Sequence, residues 1–173
     1  MAMARILGAP GRGYDHAMPS KQTVPRAKPK PRGRPAGPQV KLGHVAPNGI
    51  SASIYALIDR GVARRPRIAK GMRGTVEMRF KEAFAPVRVT FEESQVLVED
   101  VDAAEKAPPA KPELVIRGSL PDVVQLTAAP LFGGVPKPTA ARGRGALARV
   151  AGGRVRIEGS PLMARRLMRL LEI

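Results

Sequence analysis

Apolar periodicity is missing from the first 48 residues and runs almost unbroken after them, so any folded core must be built from the remainder. The stretch Pro25-Arg26-Ala27-Lys28-Pro29-Lys30-Pro31-Arg32-Gly33-Arg34-Pro35 alternates proline and glycine with cations. Proline removes backbone donors and glycine raises the entropy lost on ordering. A segment of this kind cannot bury enough apolar surface to offset that loss. Residues 1–48 carry nine basic residues and a single acid, Asp15, which is half of the chain's net charge of +16. They are expected to form a disordered basic tail, leaving residues 49–173 as one domain. About 125 residues are enough for a single core.

From Asn48 onward the pattern becomes legible. Ile54, Leu57, Ile58 and Val62 share one face of a helix that Pro66 should end. Asn48, Ser51 and Ser53 are its candidate caps. Val76, Met78 and Phe80 alternate with Thr75, Glu77 and Arg79, and Val87, Val89 and Phe91 alternate with Arg88 and Thr90. Period two with one apolar face predicts half-buried strands. Glu92-Glu93-Ser94 connects to a third strand, Gln95 to Glu99, giving an antiparallel meander. The acidic stretch Glu92, Glu93, Glu99, Asp100 and Asp102 is expected to keep that hairpin soluble or to hold the basic tail.

A fourth strand, Leu114 to Arg117, leads into Ser119-Leu-Pro-Asp122, where serine reads as an N-cap with proline and an acid in the first turn. Leu131 to Arg144 reads as a Pro/Gly-rich loop, either a lid or ordinary surface. A helix is expected over 139–151, weakened by Gly143 and Gly145, then a strand from Arg154 to Glu158. Ser160-Pro161 opens a last amphipathic helix. The expected class is α+β, a five-stranded, mostly antiparallel sheet with helices packed on one face.

The chemistry available to such a domain is narrow. There is no cysteine, and the two histidines, His16 and His44, both fall in the tail. A domain without Cys or His is poorly equipped for general base catalysis near neutrality or for a transition-metal site. Neither a P-loop, a nucleophile elbow nor a zincin motif is present. The expectation is a non-enzymatic protein without metal or cofactor. With no cysteine, no leader-like segment and no apolar run of bilayer length, it is expected in the cytoplasm.

Four segments resemble the sterol carrier protein type 2 family: GTVEMRF from Gly74, PVRVTFEESQVLVE, PELVIRGSLPDVVQL, and GRVRIEGSPLMARRLMRLL from Gly153. The last is the most specific, a Gly-basic-apolar-basic-apolar-x-Gly strand followed by a leucine-rich helix. The resemblance covers about 125 residues and excludes the tail. It implies an apolar tunnel between sheet and helices that holds a sterol, fatty acid, acyl-CoA or prenylated tail, and a carrier's role. The inward faces are the nominated lining: Val76, Met78, Phe80, Val87, Val89, Phe91, Leu162, Met163, Leu167 and Leu170. Scarce aromatics and the long 131–144 segment depart from the family pattern.

Two basic features suggest other partners. Arg32-Gly33-Arg34-Pro35 resembles the core of an AT-hook, in which an extended Arg-Gly-Arg reads the minor groove of A·T-rich DNA. The alternative function is therefore a DNA-associated protein acting through its tail. The same residues read equally as a solvated linker. Arg64-Arg65-Pro66-Arg67, with Lys70 and Arg73, offers transient contact with an anionic membrane surface, or is a solvated helix end.

The periodicity of the last helix makes a direct prediction. Met163, Leu167 and Leu170 share its inner face, so Leu167→Asp should cost several kcal/mol. Arg166→Asp should be mild by comparison. Thermal unfolding of the two variants decides, and equal shifts would reverse the assigned orientation.

Overall fold

The computed structural model describes residues 37–101 and 111–172. Residues 1–36, and with them Arg32, Gly33, Arg34 and Pro35, lie outside the described residues, as does Asp102.

The local signals at two helix starts act as the sequence requires. In α3 (Leu120–Thr127) the Ser119 hydroxyl accepts from the Asp122 N–H, with Pro121 in the first turn. In α5 (Pro161–Leu171) the Ser160 hydroxyl accepts from the Met163 N–H, with Pro161 at the first position. Each cap satisfies one of the donors that a helix start leaves free. Glu82 adds a second acceptor at the start of α3, where both its oxygens lie within 3.1 Å of the Leu120 nitrogen.

The first helix, α1 (Ser51–Arg64), is capped differently. None of the three candidates serves: Ile50 occupies the N-cap position and offers no side-chain acceptor. The Asn48 amide instead donates to the Ala83 carbonyl. The acceptor comes from a strand 49 residues away. Asp100, only 2% exposed, accepts from the Ser51 N–H at 3.2 Å, the Ser51 hydroxyl at 2.7 Å and the Ala46 N–H at 3.1 Å. Its own backbone N–H donates to the His44 carbonyl.

The meander forms as expected from β2 (Gly74–Phe80), β3 (Val87–Phe91) and β4 (Gln95–Asp100), with Val76, Val89 and Val98 in one cross-strand row. β5 (Leu114–Gly118) lies parallel to β2, and β8 (Val155–Gly159) lies antiparallel to β5. The sheet has six strands rather than five. The addition is β1 (Gln39–Leu42), parallel to β4, in a stretch that composition assigned to the tail. The order is β1-β4-β3-β2-β5-β8, a mixed sheet with two parallel and three antiparallel pairings.

Two further elements depart from expectation. Pro66 ends α1 and also starts α2 (Pro66–Lys70), where its fixed φ suits a first helical turn. Within 131–144 the chain forms a hairpin, β6 (Leu131–Phe132) with β7 (Val135–Pro136). Gly133 and Gly134 turn it with φ of 62° and 86°, the left-handed values that a tight two-residue turn needs. α4 (Ala141–Ala151) follows.

The core lies between the sheet and the helices. Val76, Val87, Val89, Val96, Val98, Leu114 and Val155 are fully buried on the sheet side. They pack with Ile58 of α1 and Leu167 and Leu170 of α5. The other sheet face carries the alternate, largely polar residues, yet Glu77 and Arg88 on it are 5% and 6% exposed. They sit in the cross-strand row Glu99–Arg88–Glu77, where signs alternate. Opposite charges directly across a ladder stabilise it.

If Asp100 is the cap of α1, Asp100→Ala leaves buried N–H and O–H groups without an acceptor, at about 1–3 kcal/mol for each lost partner. A net loss of about 3 kcal/mol is expected in urea unfolding. Glu93→Ala, at a side chain 89% exposed, should stay within about 0.5 kcal/mol.

Candidate functional site

Beside the packed core lies an apolar cavity of about 280 Å³, walled by five elements. α3 contributes Leu126, and α4 contributes Leu147 and Val150. The β6–β7 hairpin supplies Gly134, Val135 and Pro136; β8 supplies Ile157 and Gly159; α5 and its cap supply Ser160, Pro161, Ala164, Arg165 and Met168. Ser160 is already committed to its helix cap. Arg165, an exposed residue of α5, is the one charged residue in this lining and has no ion-pair partner among the described residues.

Local sequence explains the space. α5 turns Leu167 and Leu170 into the core and places the smaller Ala164 and flexible Met168 at the cavity. Gly143 lets α4 approach the hairpin's exit closely, because a Cβ there would collide with the Lys137 carbonyl oxygen. Gly143 therefore serves contact as well as weakening the helix.

Asp122 fixes the cavity's walls relative to one another. Its carboxylate receives the Ser119 hydroxyl at 2.8 Å, Arg149 Nε of α4 at 3.0 Å and Arg154, just before β8, at 3.0 Å. The bond from Ser119 is the main reason that its carboxyl titrates below the usual carboxylate range. Burial acts in the opposite sense, and the two arginines reinforce the lowering.

The nominated lining residues are placed as follows. Val76, Met78, Val87, Val89, Phe91, Met163, Leu167 and Leu170 belong to the packed core, and Phe80 is half-buried against it. Leu162 is 58% exposed on the outside of α5. None of the ten lines the apolar cavity. Sequence reasoning identified the inward faces but not which inward residues leave a gap. Leu126, Ile157, Ala164 and Met168 lie in α3, β8 and α5, three elements that the sequence predicts. The hairpin wall was hard to read because its strands are two residues each, and only Gly133-Gly134 marked the turn.

A larger concavity, about 830 Å³, opens at the α1–α2 junction, lined by Ala63, Arg64, Arg65, Pro66, Arg67, Ile68 and Arg169. It is cationic at Arg64, Arg65, Arg67 and Arg169, with Ala63, Pro66 and Ile68 supplying apolar wall between them. Arg65 is held there by Glu172 at 2.7 Å and by the Arg169 carbonyl. Among the described residues, no three His, Cys, Asp or Glu side chains converge as metal ligands, and no helix is long and apolar enough to cross a membrane.

No protein-family model and no curated protein sequence matches the chain. It is similar to solved structures at low identity. One is a ubiquinone synthesis protein described as UbiJ-SCP2, with 16% identity and a TM-score of 0.49, covering 70% of this chain and 88% of that one. Another is a stereoselective inverting sec-alkylsulfatase from Pseudomonas sp., with 16% identity and a TM-score of 0.43, covering 62% of this chain and 14% of that one. A third is a conserved hypothetical protein of Thermus thermophilus, offered in its description as a sterol carrier protein. Its identity is 12% and its TM-score 0.38, covering 79% of this chain and 94% of that one.

The Asp122 contacts predict a specific acid sensitivity. A carboxyl lowered in the folded state stabilises the fold fully above its unfolded value, about pH 4, and that contribution is lost as pH falls through the folded value. Asp122→Asn should therefore lower Tm near about pH 6, and the gap to wild type should shrink below about pH 4. Melting curves across that range test it; a gap independent of pH would refute it.

Proposed function

We propose that this domain binds a single-chain lipid with an anionic head group, the chain in the apolar cavity and the head at Arg165, and that it acts by binding alone. The observation that carries this reading is an apolar cavity at the edge of the packed core, with Arg165, which has no ion-pair partner among the described residues, as the one charged residue in its lining. The four sequence segments that resemble the sterol carrier protein type 2 family support the same reading.

The cavity's size refines the ligand. At about 30 Å³ per water- or methylene-sized group, 280 Å³ accommodates roughly nine such groups. At about 0.8 kcal/mol per buried methylene, that is ~7 kcal/mol before the cost of association. A linear acyl or prenyl chain suits that volume better than a rigid fused-ring sterol, because only part of a flexible chain need enter. Lipid exchange requires access to a bilayer. Phe132, 80% exposed, lies in the hairpin beside the wall residues Gly134 and Val135, and Leu162 neighbours Pro161 on α5. These apolar tips next to Arg165 suit brief contact with an anionic membrane.

Binding of saturated fatty acids, measured by displacement of a fluorescent analogue, should strengthen with chain length and level off near about ten carbons, when the cavity is full. Ala164→Phe should fill the cavity and abolish binding while the fold survives, and Arg165→Gln should weaken fatty acids more than fatty alcohols. Undiminished binding in Ala164→Phe would overturn the assignment of this cavity.

A further inference from the structure

The open face of the sheet carries a second arrangement, independent of the lipid reading. Arg79 of β2, Arg117 of β5 and Arg156 of β8 are direct cross-strand neighbours, Arg79 opposite Arg117 and Arg117 opposite Arg156. Strands lie about 4.8 Å apart, so the three side chains leave the sheet within roughly 10 Å of one another. Like charges in register destabilise a ladder. One row away on the same face the chain does the opposite, alternating Glu99, Arg88 and Glu77. The arginine row is therefore not the pattern by which this sheet stabilises itself.

Local acids neutralise the row incompletely. Glu77 holds Arg79 at 2.5 Å, while Glu158 reaches Arg117 only at 3.6 Å, with both side chains about half exposed. Arg156 has no ion pair among the described residues. The three arginines line a shallow groove of about 420 Å³, joined by Lys81 and by Arg154, the latter shared with Asp122. Gly153 leaves one end of the groove free of bulk, with nothing within 4 Å of where its Cβ would stand. Phe80, the aromatic in its lining, is half-buried and packs edge-on against Phe84.

We infer that this groove binds the phosphate chain of a diphosphate-bearing anion. Guanidinium forks pair bidentately with phosphate oxygens, and adjacent forks engage adjacent phosphoryl groups. The row recognises phosphate through paired N–H donors matched to its oxygens. A residue that weakens the fold at rest and strengthens a bound anion fits a binding role.

The test is calorimetric titration of the full chain with inorganic pyrophosphate, at an ionic strength fixed with NaCl. Arg117→Gln/Arg156→Gln is compared with Arg67→Gln/Arg169→Gln, which removes the same charge from the cleft at the α1–α2 junction. The row variant should lose about tenfold or more in affinity and the cleft variant less than about twofold. Without ligand, the row variant should melt at or above the wild-type temperature. Equal losses in both variants, wild-type affinity for pyrophosphate no better than for sulfate, or a lower Tm in the row variant would each overturn the site. Phosphatidylglycerol vesicles distinguish the source of the phosphate. Vesicle binding lost with pyrophosphate binding assigns a lipid headgroup, and vesicle binding retained assigns a soluble ligand.

Discussion

Much of this structure depends on a carboxylate that takes the place of a missing cap. α1 begins at Ser51 with no acceptor of its own, and Asp100 reaches it from the end of β4. The same side chain holds Ala46, in the segment between β1 and α1. One buried group therefore ties a helix start, a loop and the strand next to the sheet's border together. A negative charge is favoured at a helix N-terminus, where free N–H groups and the helix dipole both face it. Because the contact spans 49 residues, it forms only when the sheet and α1 are both in place. Asp122 plays the matching role at the other side, joining α3, α4 and the start of β8. The two carboxylates fix the layers at opposite sides of the domain, one beside the packed core and one beside the cavity.

What was legible in the sequence follows the range of the interactions involved. The strands from Gly74 to Asp100 were readable because one face is buried and period two records that directly. The caps at Ser119 and Ser160 were readable because cap and helix are three residues apart. β1 was not, since Gln-Val-Lys-Leu is four residues within a Pro-, Gly- and Lys-rich stretch and its pairing partner lies 56 residues on. Asp100 looked like one acid among several in a polar loop, yet it is among the most buried polar residues described. Glu77 and Arg88 were assigned correctly to the outer face, but alternation does not tell that neighbours across the ladder will bury them. The cavity was the least legible feature. Periodicity tells which side chains point inward, while a void depends on how their volumes fail to meet in three dimensions.

That void has a structural cost on its own side of the fold. α4 includes Gly143, Gly145 and several alanines, and a helical glycine weakens a helix by roughly 1 kcal/mol relative to alanine. The α1–α5 side is packed with Ile58, Leu167 and Leu170. Stability within one domain is rarely uniform, and the elements that admit a ligand come from the weaker part. The fold thus sets the core-facing residues of α1 and α5, Ile58, Leu167 and Leu170, against a glycine-bearing α4 on the side where the cavity lies.

The short strand β1 has a consequence for the sheet's exposed border. Without it, Gln95 to Val98 of β4 would offer unpaired N–H and C=O groups beside the apolar side chains of Val96 and Val98. Such a border is a template for adding a strand from another molecule. Four residues containing Lys41, and followed by Gly43, close it with a border too short and too charged to extend further. The strand thus guards β4 against self-association, and a truncation placed where the composition changes, at residue 49, would remove the guard along with the tail.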